Sequence, residues 1–184
     1  EMRAILAGHD LEVVAQADLG ITPPAENGDS FAANALLKAR HAAEIADLPV
    51  IADDSGIEVD ALGGRPGIHT ARYAGPEADE RANNAKLLME LAGVPDEKRT
   101  ARYRCAMVFL REAGDPAPII AETTWEGRIG LERRGTGGFG YDPLFIVEGG
   151  AITAAEMPAG DKNRVSHRGR ALAELAARMR EAGW

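Results

Sequence analysis

Apolar residues recur with helical spacing in some stretches of this sequence and alternate in others, which predicts interleaved helices and strands. An Ala- and Leu-rich segment from Phe31 to Asp47 predicts a long helix, and Ser30 is a good N-cap for it. Apolar residues alternate from Ala101 to Leu110, which predicts a half-buried strand. A polar loop at Glu112 to Pro118 then leads to Ile119 to Ile129, the predicted partner strand.

Shorter apolar runs and turn residues predict the remaining elements. Val50 to Ala52 starts a strand that runs into Asp53-Asp54-Ser55-Gly56, and Ile57 to Leu62 continues as a second strand. The other predicted elements are helices at Glu1 to Ala7, Ala78 to Ala92 and about Ser166 to Ala182, a strand at Leu11 to Ala15, and loops at Thr22 to Asp29, Gly63 to Gly67 and Gly135 to Asp142. This order predicts an α/β fold with a partly antiparallel sheet.

Composition narrows the class of protein. The 184 residues suit one domain or two closely packed lobes, and 45% hydrophobic residues can form a sizeable core. Cys105 is the one cysteine, so no intramolecular disulfide can form and a reducing compartment is expected. No apolar run approaches the roughly 18 residues of a membrane span. We therefore expect a cytoplasmic protein that does not contact membranes.

The charge balance excludes one class of partner and constrains another. The net charge is −8, from 21 Lys+Arg and 29 Asp+Glu, whereas a broad nucleic-acid surface needs a basic footprint. No nucleic-acid partner is expected. An anionic ligand remains compatible with this charge if a metal ion and a few local cations neutralise it.

Two adjacent carboxylates, Asp53 and Asp54, follow the apolar run that ends at Ala52. They cannot both point into a dry core, because an unpaired buried charge is too costly, and strand alternation sends them to opposite faces. One can hold a hard cation such as Mg²⁺, while the other orders the site or activates water. The alternative is that both are turn residues before Gly56, which this composition also favours.

Asn34, Lys38 and His41 have the spacing i, i+4 and i+7, so they share one face of the predicted helix. Lys38 could reach a phosphate group from that face. The alternative is an ordinary solvated helix face.

Four glycines fall within six positions of the segment Gly135 to Pro143. Glycine lets the backbone approach a ligand closely, Phe139 offers a stacking surface, and Asp142 offers an acceptor for a base edge. The segment is neither a P-loop nor a dinucleotide fingerprint, because both of those spacings are missing. A plain glycine-rich hairpin is the alternative.

Basic residues surround Ser166, where the last helix is predicted to begin. The free N–H groups of a helix start add to such charges and favour an anion, although a solvated basic helix start is equally compatible. The residues concerned are Lys162, His167, Arg168 and Arg170.

Together these segments resemble the inosine/xanthosine triphosphate pyrophosphatase family. The resemblance covers nearly the whole chain and depends on the order and spacing of Ser30 to Ala39, Ile51 to Gly56, Gly63 to Gly75, Gly135 to Pro143 and Ser166-His167-Arg168-Gly169. It implies an elongated two-lobed α/β protein around a mixed, partly antiparallel twisted sheet (ITPase-like), usually a homodimer. Residues 1–184 would form a single domain of two lobes.

The resemblance also implies a reaction, in which dITP, ITP or XTP is hydrolysed to the monophosphate and pyrophosphate with Mg²⁺ as cofactor. Such an activity clears deaminated purines from the nucleotide pool. By this resemblance Asp54 is the proton acceptor and a Mg²⁺ ligand, Glu26 is the second metal carboxylate, and Asp53 supports the pair. The implied substrate-binding residues are Lys38 and Lys162 at the phosphates, Ser55, Phe139 stacked on the purine, and Gly140, Tyr141, Asp142, His167 and Arg168 at its oxo-substituted edge.

The sequence departs from the family pattern at its start. The family opens with a strand and a phosphate-binding loop of the type Ser/Thr-x-Asn-x-x-Lys, whereas this chain begins at Glu1, within what resembles the following helix. About fifteen residues are therefore expected to be absent, judged by the reach of one strand plus a loop. Two other functions stay open: a nucleotide-binding module that does not hydrolyse, and a related pyrophosphatase for modified pyrimidine nucleotides.

Overall fold

The structure is a computed structural model, and it describes residues 12–184. In this range helices and strands interleave, which confirms the α/β class. The helices are α1 (Phe31–Ala46), α2 (Glu80–Glu90), α3 (Ala159–Val165) and α4 (His167–Glu181). The strands are β1 (Val50–Val59), β2 (Thr100–Leu110), β3 (Ile119–Ile129) and β4 (Phe145–Val147). None of the helices in the described range is long and apolar enough to cross a membrane.

The strands form one sheet in the order β1-β2-β3-β4. Strand β4 pairs antiparallel with the end of β3, with Gly127 opposite Val147 and Ile129 opposite Phe145. Because β2 and β3 are neighbours joined by a short loop, the predicted hairpin is confirmed.

The chain divides into two compact units, and each has its own core. The first unit contains the described residues up to Asp54 together with 105–123 and 168–184. Its core joins one face of β2 to the apolar face of α4, through residues that include Cys105, Met107, Phe109, Leu172, Leu175 and Met179.

The second unit contains residues 55–104 and 124–167. Its core is richer in aromatic side chains, with Tyr103, Trp125, Tyr141 and Phe145 all buried. Ile57 and Val59 from the end of β1 are fully buried in the same core.

Helix α1 forms where it was predicted, and its start has a clear physical cause. The Ser30 hydroxyl accepts a hydrogen bond from the Ala33 amide at 3.2 Å, which satisfies a donor that the first turn leaves free. The helix ends at Asp47, whose φ of 51° breaks the helical geometry. Small buried residues, Ala35 and Ala39, let this helix pack closely.

The carboxylate segment is extended, and this corrects the two-strand prediction. Residues Val50–Val59 form one continuous strand, so Asp53-Asp54-Ser55-Gly56 is not a turn. The strand ends earlier than predicted, because Asp60–Leu62 forms a 3-10 helix that closes at Gly63 with a φ of 64°. The turn at Gly63 to Gly67 is confirmed.

Three further predictions need correction or fall outside the described range. Residues Glu12 to Ala15 are not a strand; Val13 packs on the first core while Val14 is 44% exposed, so no ladder holds them in the described part of the chain. The helix at Glu1 to Ala7 and residue Leu11 lie outside the described residues. Strand β2 is half-buried as far as Arg104, but Cys105 to Leu110 is buried throughout.

Arg99 is a buried cation that holds three chain segments of the second unit together. It is 3% exposed, and its guanidinium donates to the carbonyls of Ile129, Leu91 and Gly130, each at 2.9 Å. Burial lowers the pKa of Arg99 from 12.5. The planar guanidinium holds several N–H donors in a fixed arrangement, and three of them point at these three carbonyl oxygens.

We expect Arg99→Met to destabilise the fold by about 3 kcal/mol, because three buried carbonyl oxygens would lose a charged donor. Urea unfolding followed by circular dichroism measures this. Arg133→Met, at an exposed arginine, is the matched control and should change stability by less than about 0.5 kcal/mol. Equal effects of the two substitutions would contradict this role of Arg99.

Candidate active site

In the first unit, one lysine joins two carboxylates that come from different parts of the chain. Lys38 reaches from α1, and its Nζ lies 2.7 Å from Asp54 Oδ1 and 3.1 Å from Glu26 Oε1. The Asp54 side chain is 10% exposed and that of Glu26 is 30% exposed. The two acidic side chains predicted to hold a metal ion therefore both contact one ammonium group, that of Lys38.

Asn34, one turn before Lys38, joins the same group. Its Nδ2 donates to Asp54 Oδ2 at 3.3 Å, and its Oδ1 accepts from the Gly28 amide at 2.8 Å. One turn after Lys38, the His41 Nε2 lies 2.9 Å from the Thr22 carbonyl. The predicted common face of Asn34, Lys38 and His41 thus exists, and it holds the loop from Thr22 to Asp29 rather than facing only solvent.

Burial and the neighbouring charges act against each other at Asp54. Burial raises the pKa of Asp54, while Lys38 and Asn34 favour the carboxylate and offset only part of that rise. For Lys38, burial alone would lower the pKa, but the bonds and charges of Asp54 and Glu26 outweigh it and raise the pKa above 10.5. The ammonium therefore stays charged at neutral pH, and its stabilising effect is lost only as pH rises through that raised pKa.

Asp53 has different partners from Asp54, as strand alternation predicts. The Arg168 Nε and Nη2 both lie 2.9 Å from Asp53 Oδ2. Arg168 is in the first turn of α4, whereas Lys38 and Asn34 belong to α1. The carboxylates of Asp53 and Asp54 therefore have separate environments, and the interpretation of the pair as turn residues is wrong.

The donor set around Asp54 fits a hard divalent cation such as Mg²⁺. Carboxylate oxygens of Asp54 and Glu26 already bind one cationic group, and Mg²⁺ is commonly held by one or two carboxylates together with water and substrate phosphates. No group of three or more His, Cys, Asp and Glu side chains that could hold a metal occurs among residues 12–184. A protein cage closed on all sides is thus not present in this range.

The glycine-rich loop of the second unit is folded around Asp142. Asp142 is fully buried, and its Oδ2 accepts from the Phe139 amide at 2.7 Å and from the Lys162 ammonium. A side chain at Gly138 would place its Cβ 2.0 Å from that oxygen, and the φ there is +73°, so only glycine fits. The loop is therefore organised around a buried ion pair and is more than a plain hairpin.

Phe139 is 36% exposed at the tip of this loop, and the Lys162 Nζ lies 4.6 Å from the centroid of its ring.

The two residues after Phe139 are held by hydrogen bonds. The Gly140 amide donates to Glu80, and the Gly140 carbonyl accepts from the buried Asn84 at 2.9 Å. Tyr141 is almost fully buried, and its hydroxyl donates to the Thr70 carbonyl at 2.9 Å.

His167 belongs to an aromatic stack in the second unit. Its ring lies 4.5 Å from that of Tyr103 with an interplanar angle of 6°, and 6.3 Å from that of Trp125. Burial, and then the charge of Asp142, raise the pKa of Tyr103 well above 10. The Asp142 side chain lies near enough to the Tyr103 hydroxyl for both its charge and a hydrogen bond to contribute to the raised pKa of Tyr103.

The basic residues predicted around Ser166 have different partners. Lys162 pairs with Asp142 in the second unit, His167 stacks on aromatic rings there, and Arg168 pairs with Asp53 in the first unit. Arg170 is exposed. Lys162 lies in α3, whereas His167, Arg168 and Arg170 lie in the first turn of α4, where adjacent residues do not face each other.

Sequence reasoning missed several residues of these two groups. The alternation from Ala101 to Leu110 includes Tyr103 but does not single it out, and Asn84 has no signal beyond its place in a predicted helix. Ser55, which the family resemblance placed at the substrate, lies half-buried in β1 next to Asp54. The roles predicted for the individual site residues stay predictions.

Comparison with known proteins connects this geometry to a family. The Ham1 family profile matches residues 1–178. A dITP/XTP pyrophosphatase of Methylococcus capsulatus is 56% identical over 180 residues, which cover 98% of this chain and 90% of that protein. The dITP/XTP pyrophosphatase of Escherichia coli is 49% identical over 180 residues, 98% of this chain and 91% of that protein.

Solved structures agree with the sequence matches. A HAM1 protein from Coxiella burnetii superposes with a TM-score of 0.91 at 39% identity, covering 98% of this chain and 91% of that one. The Staphylococcus aureus Ham1 protein gives a TM-score of 0.85 at 34% identity, covering 99% and 92%. The resemblance drawn from the five sequence segments is confirmed, and the chain belongs to the Ham1 family.

Proposed function

We propose that this protein is a nucleoside triphosphate pyrophosphatase that hydrolyses dITP, ITP or XTP to the monophosphate and pyrophosphate. The observation that carries the proposal is the convergence of Asp54 and Glu26 on a single cationic point, with Lys38 between them. The names of the curated relatives, which are dITP/XTP pyrophosphatases, support the same reaction.

In the proposed reaction, a water molecule attacks the α-phosphorus and the bond to the bridging oxygen of the β-phosphate breaks. Asp54 is the candidate acceptor for the proton of that water. Burial raises the pKa of Asp54, which makes it a better base than an exposed aspartate. Lys38 and Asn34 hold both carboxylate oxygens of Asp54 and so fix its direction.

The charge that develops on the leaving pyrophosphate must be neutralised by cations. Mg²⁺, held by Asp54 and Glu26, would supply Lewis-acid stabilisation of the phosphate oxygens. Lys38 supplies a fixed ammonium at the same place, and it can transfer part of its interaction from the carboxylates to a phosphate oxygen.

We propose that Phe139, His167 and Arg168 recognise the base. Phe139 keeps an exposed ring face for stacking, and the buried pair of Asp142 and Lys162 fixes the loop that carries it. His167 and Arg168 are the candidate donors for the 6-oxo group. A site that donates to an oxo group leaves its donors unpaired against an amino group.

We expect Asp54→Asn to lower turnover of dITP by several orders of magnitude and to leave the fold intact, because the amide cannot accept the proton and binds a cation poorly. Pyrophosphate release from dITP at saturating Mg²⁺ measures this. Asp60→Asn is the control, since Asp60 pairs with Arg102 in the second unit, outside both groups of site residues. Near-normal turnover of Asp54→Asn would exclude Asp54 as the base.

We also expect kcat/KM for ITP to exceed that for ATP by a factor of up to about 10⁴, because an amino group leaves the oxo-reading donors unpaired. Steady-state kinetics with ITP, XTP, ATP and modified pyrimidine triphosphates measures the preference. Similar values for ITP and ATP would contradict this account of base recognition. Binding of ITP without pyrophosphate release would instead indicate a nucleotide-binding module.

A further inference from the structure

We propose that Asn34 is a positioning residue whose single carboxamide fixes the Asp54 carboxylate and the loop that carries Glu26 relative to each other. The inference rests on the proposed function, in which Asp54 and Glu26 are the metal carboxylates. It concerns how two ligands from distant parts of the chain keep a constant separation.

The Asn34 carboxamide contacts both the Asp54 carboxylate and the loop that carries Glu26. Its side chain is fully buried in the first turn of α1, its Nδ2 donates to Asp54 Oδ2 at 3.3 Å, and its Oδ1 accepts from the Gly28 amide at 2.8 Å. Gly28 is only two residues from Glu26. The amide group therefore spans the interval between strand β1 and the Glu26 loop.

The loop depends on such side-chain bonds because it has no regular structure of its own. Residues 21–28 form neither helix nor strand, and α1 holds them at the Thr22 carbonyl through His41, at Glu26 through Lys38 and at Gly28 through Asn34. Both Lys38 and Asn34 also join the loop to Asp54, and Asn34 is the more deeply buried of the two.

Only an amide can make both bonds at this position. Leucine has nearly the same shape, but it would leave the Gly28 N–H and Asp54 Oδ2 without their partner. Aspartate can still accept from the Gly28 N–H, but it cannot donate to Asp54 and it places a second carboxylate beside Asp54.

Gly28 provides an independent observation of the same contact. A Cβ at residue 28 would lie 2.7 Å from Asn34 Oδ1, 3.0 Å from the Ala33 Cβ and 3.0 Å from the Asn34 amide nitrogen. A methyl group there must push the loop away from α1. Gly28→Ala should therefore reproduce the loop effect of Asn34→Leu without altering Asn34.

The chain offers close controls for both substitutions. Asn83 is a buried helical asparagine that also ties a helix to a loop, accepting from the Ala74 amide at 2.7 Å and donating to the Ala71 carbonyl at 2.9 Å. Asn83→Leu thus removes two comparable bonds away from Asp54. Gly114 has no atom within 4 Å of a built Cβ, so Gly114→Ala is the control for Gly28→Ala.

The first measurement is hydrogen–deuterium exchange of the peptides that cover residues 22–29, which needs neither metal nor substrate. We expect faster exchange there in Asn34→Leu and Gly28→Ala, and wild-type exchange in Asn83→Leu and Gly114→Ala. The second is kcat/KM for dITP, where loss of a residue that orients metal ligands typically costs 10–100-fold. We expect losses of about that size in Asn34→Leu, Asn34→Asp and Gly28→Ala, and less than about twofold in the two controls.

Wild-type exchange of residues 22–29 in Asn34→Leu and Gly28→Ala would overturn the proposal, and so would equal kinetic losses in Asn34→Leu and Asn83→Leu. If Asn34→Leu does not fold, Asn34→Asp and Gly28→Ala carry the test. Failure of the proposed function is distinguishable, because the wild-type protein would then release no pyrophosphate from dITP, whereas the exchange measurement would still report on the Asn34 contact.

Discussion

The site of the first unit depends on one electrostatic constraint: two carboxylates that lie close together need a cation between them. Asp54 and Glu26 both contact the Lys38 ammonium, and without a positive charge their repulsion in a partly buried setting would be unfavourable. The requirement explains why α1 carries Lys38 on the face that meets both the end of β1 and the loop of Glu26. A divalent cation would satisfy the same requirement.

The second unit also pairs a lysine with a carboxylate, but there the carboxylate is fully buried. Lys162 pairs with the fully buried Asp142, and this pair organises a glycine-rich loop that Glu80 and Asn84 also hold at Gly140. Removing one partner of such a pair leaves an uncompensated buried charge, so the loop and the helix α3 are coupled. In the first unit Lys38 pairs with two carboxylates, Asp54 at 10% and Glu26 at 30% side-chain exposure. In the second, Lys162 fixes a scaffold around Phe139.

The parts of the fold that sequence predicted well are those set by local chemistry. The Ser30 cap and the helical period of α1, and the alternation of β2, act within a few residues. The pattern at Asp53-Asp54-Ser55-Gly56 misled because its composition favours a turn, whereas Asp53 and Asp54 each find a cation from another helix that stabilises the extended form. Strand β4 and helix α3 were missed because three and seven residues give too little periodicity.

For the site, the sequence indicated candidate residues but not their partners. Nothing local tells that Lys162 pairs with Asp142, or that His167 and Arg168, adjacent in sequence, enter different units. Nor does the sequence tell that Asn34 touches Asp54, twenty residues away. Such contacts depend on how helices pack on the sheet, which no short-range pattern encodes.

The most direct test of the account replaces the cation between the two carboxylates. Lys38→Met should lower the thermal midpoint of unfolding in the absence of divalent ions, because Asp54 and Glu26 lose their counter-charge. Saturating Mg²⁺ should then raise that midpoint more in the variant than in the wild-type protein, since an ion that binds the folded state stabilises it by mass action. A variant whose thermal midpoint does not respond to Mg²⁺ would contradict the claim that Asp54 and Glu26 form a cation site.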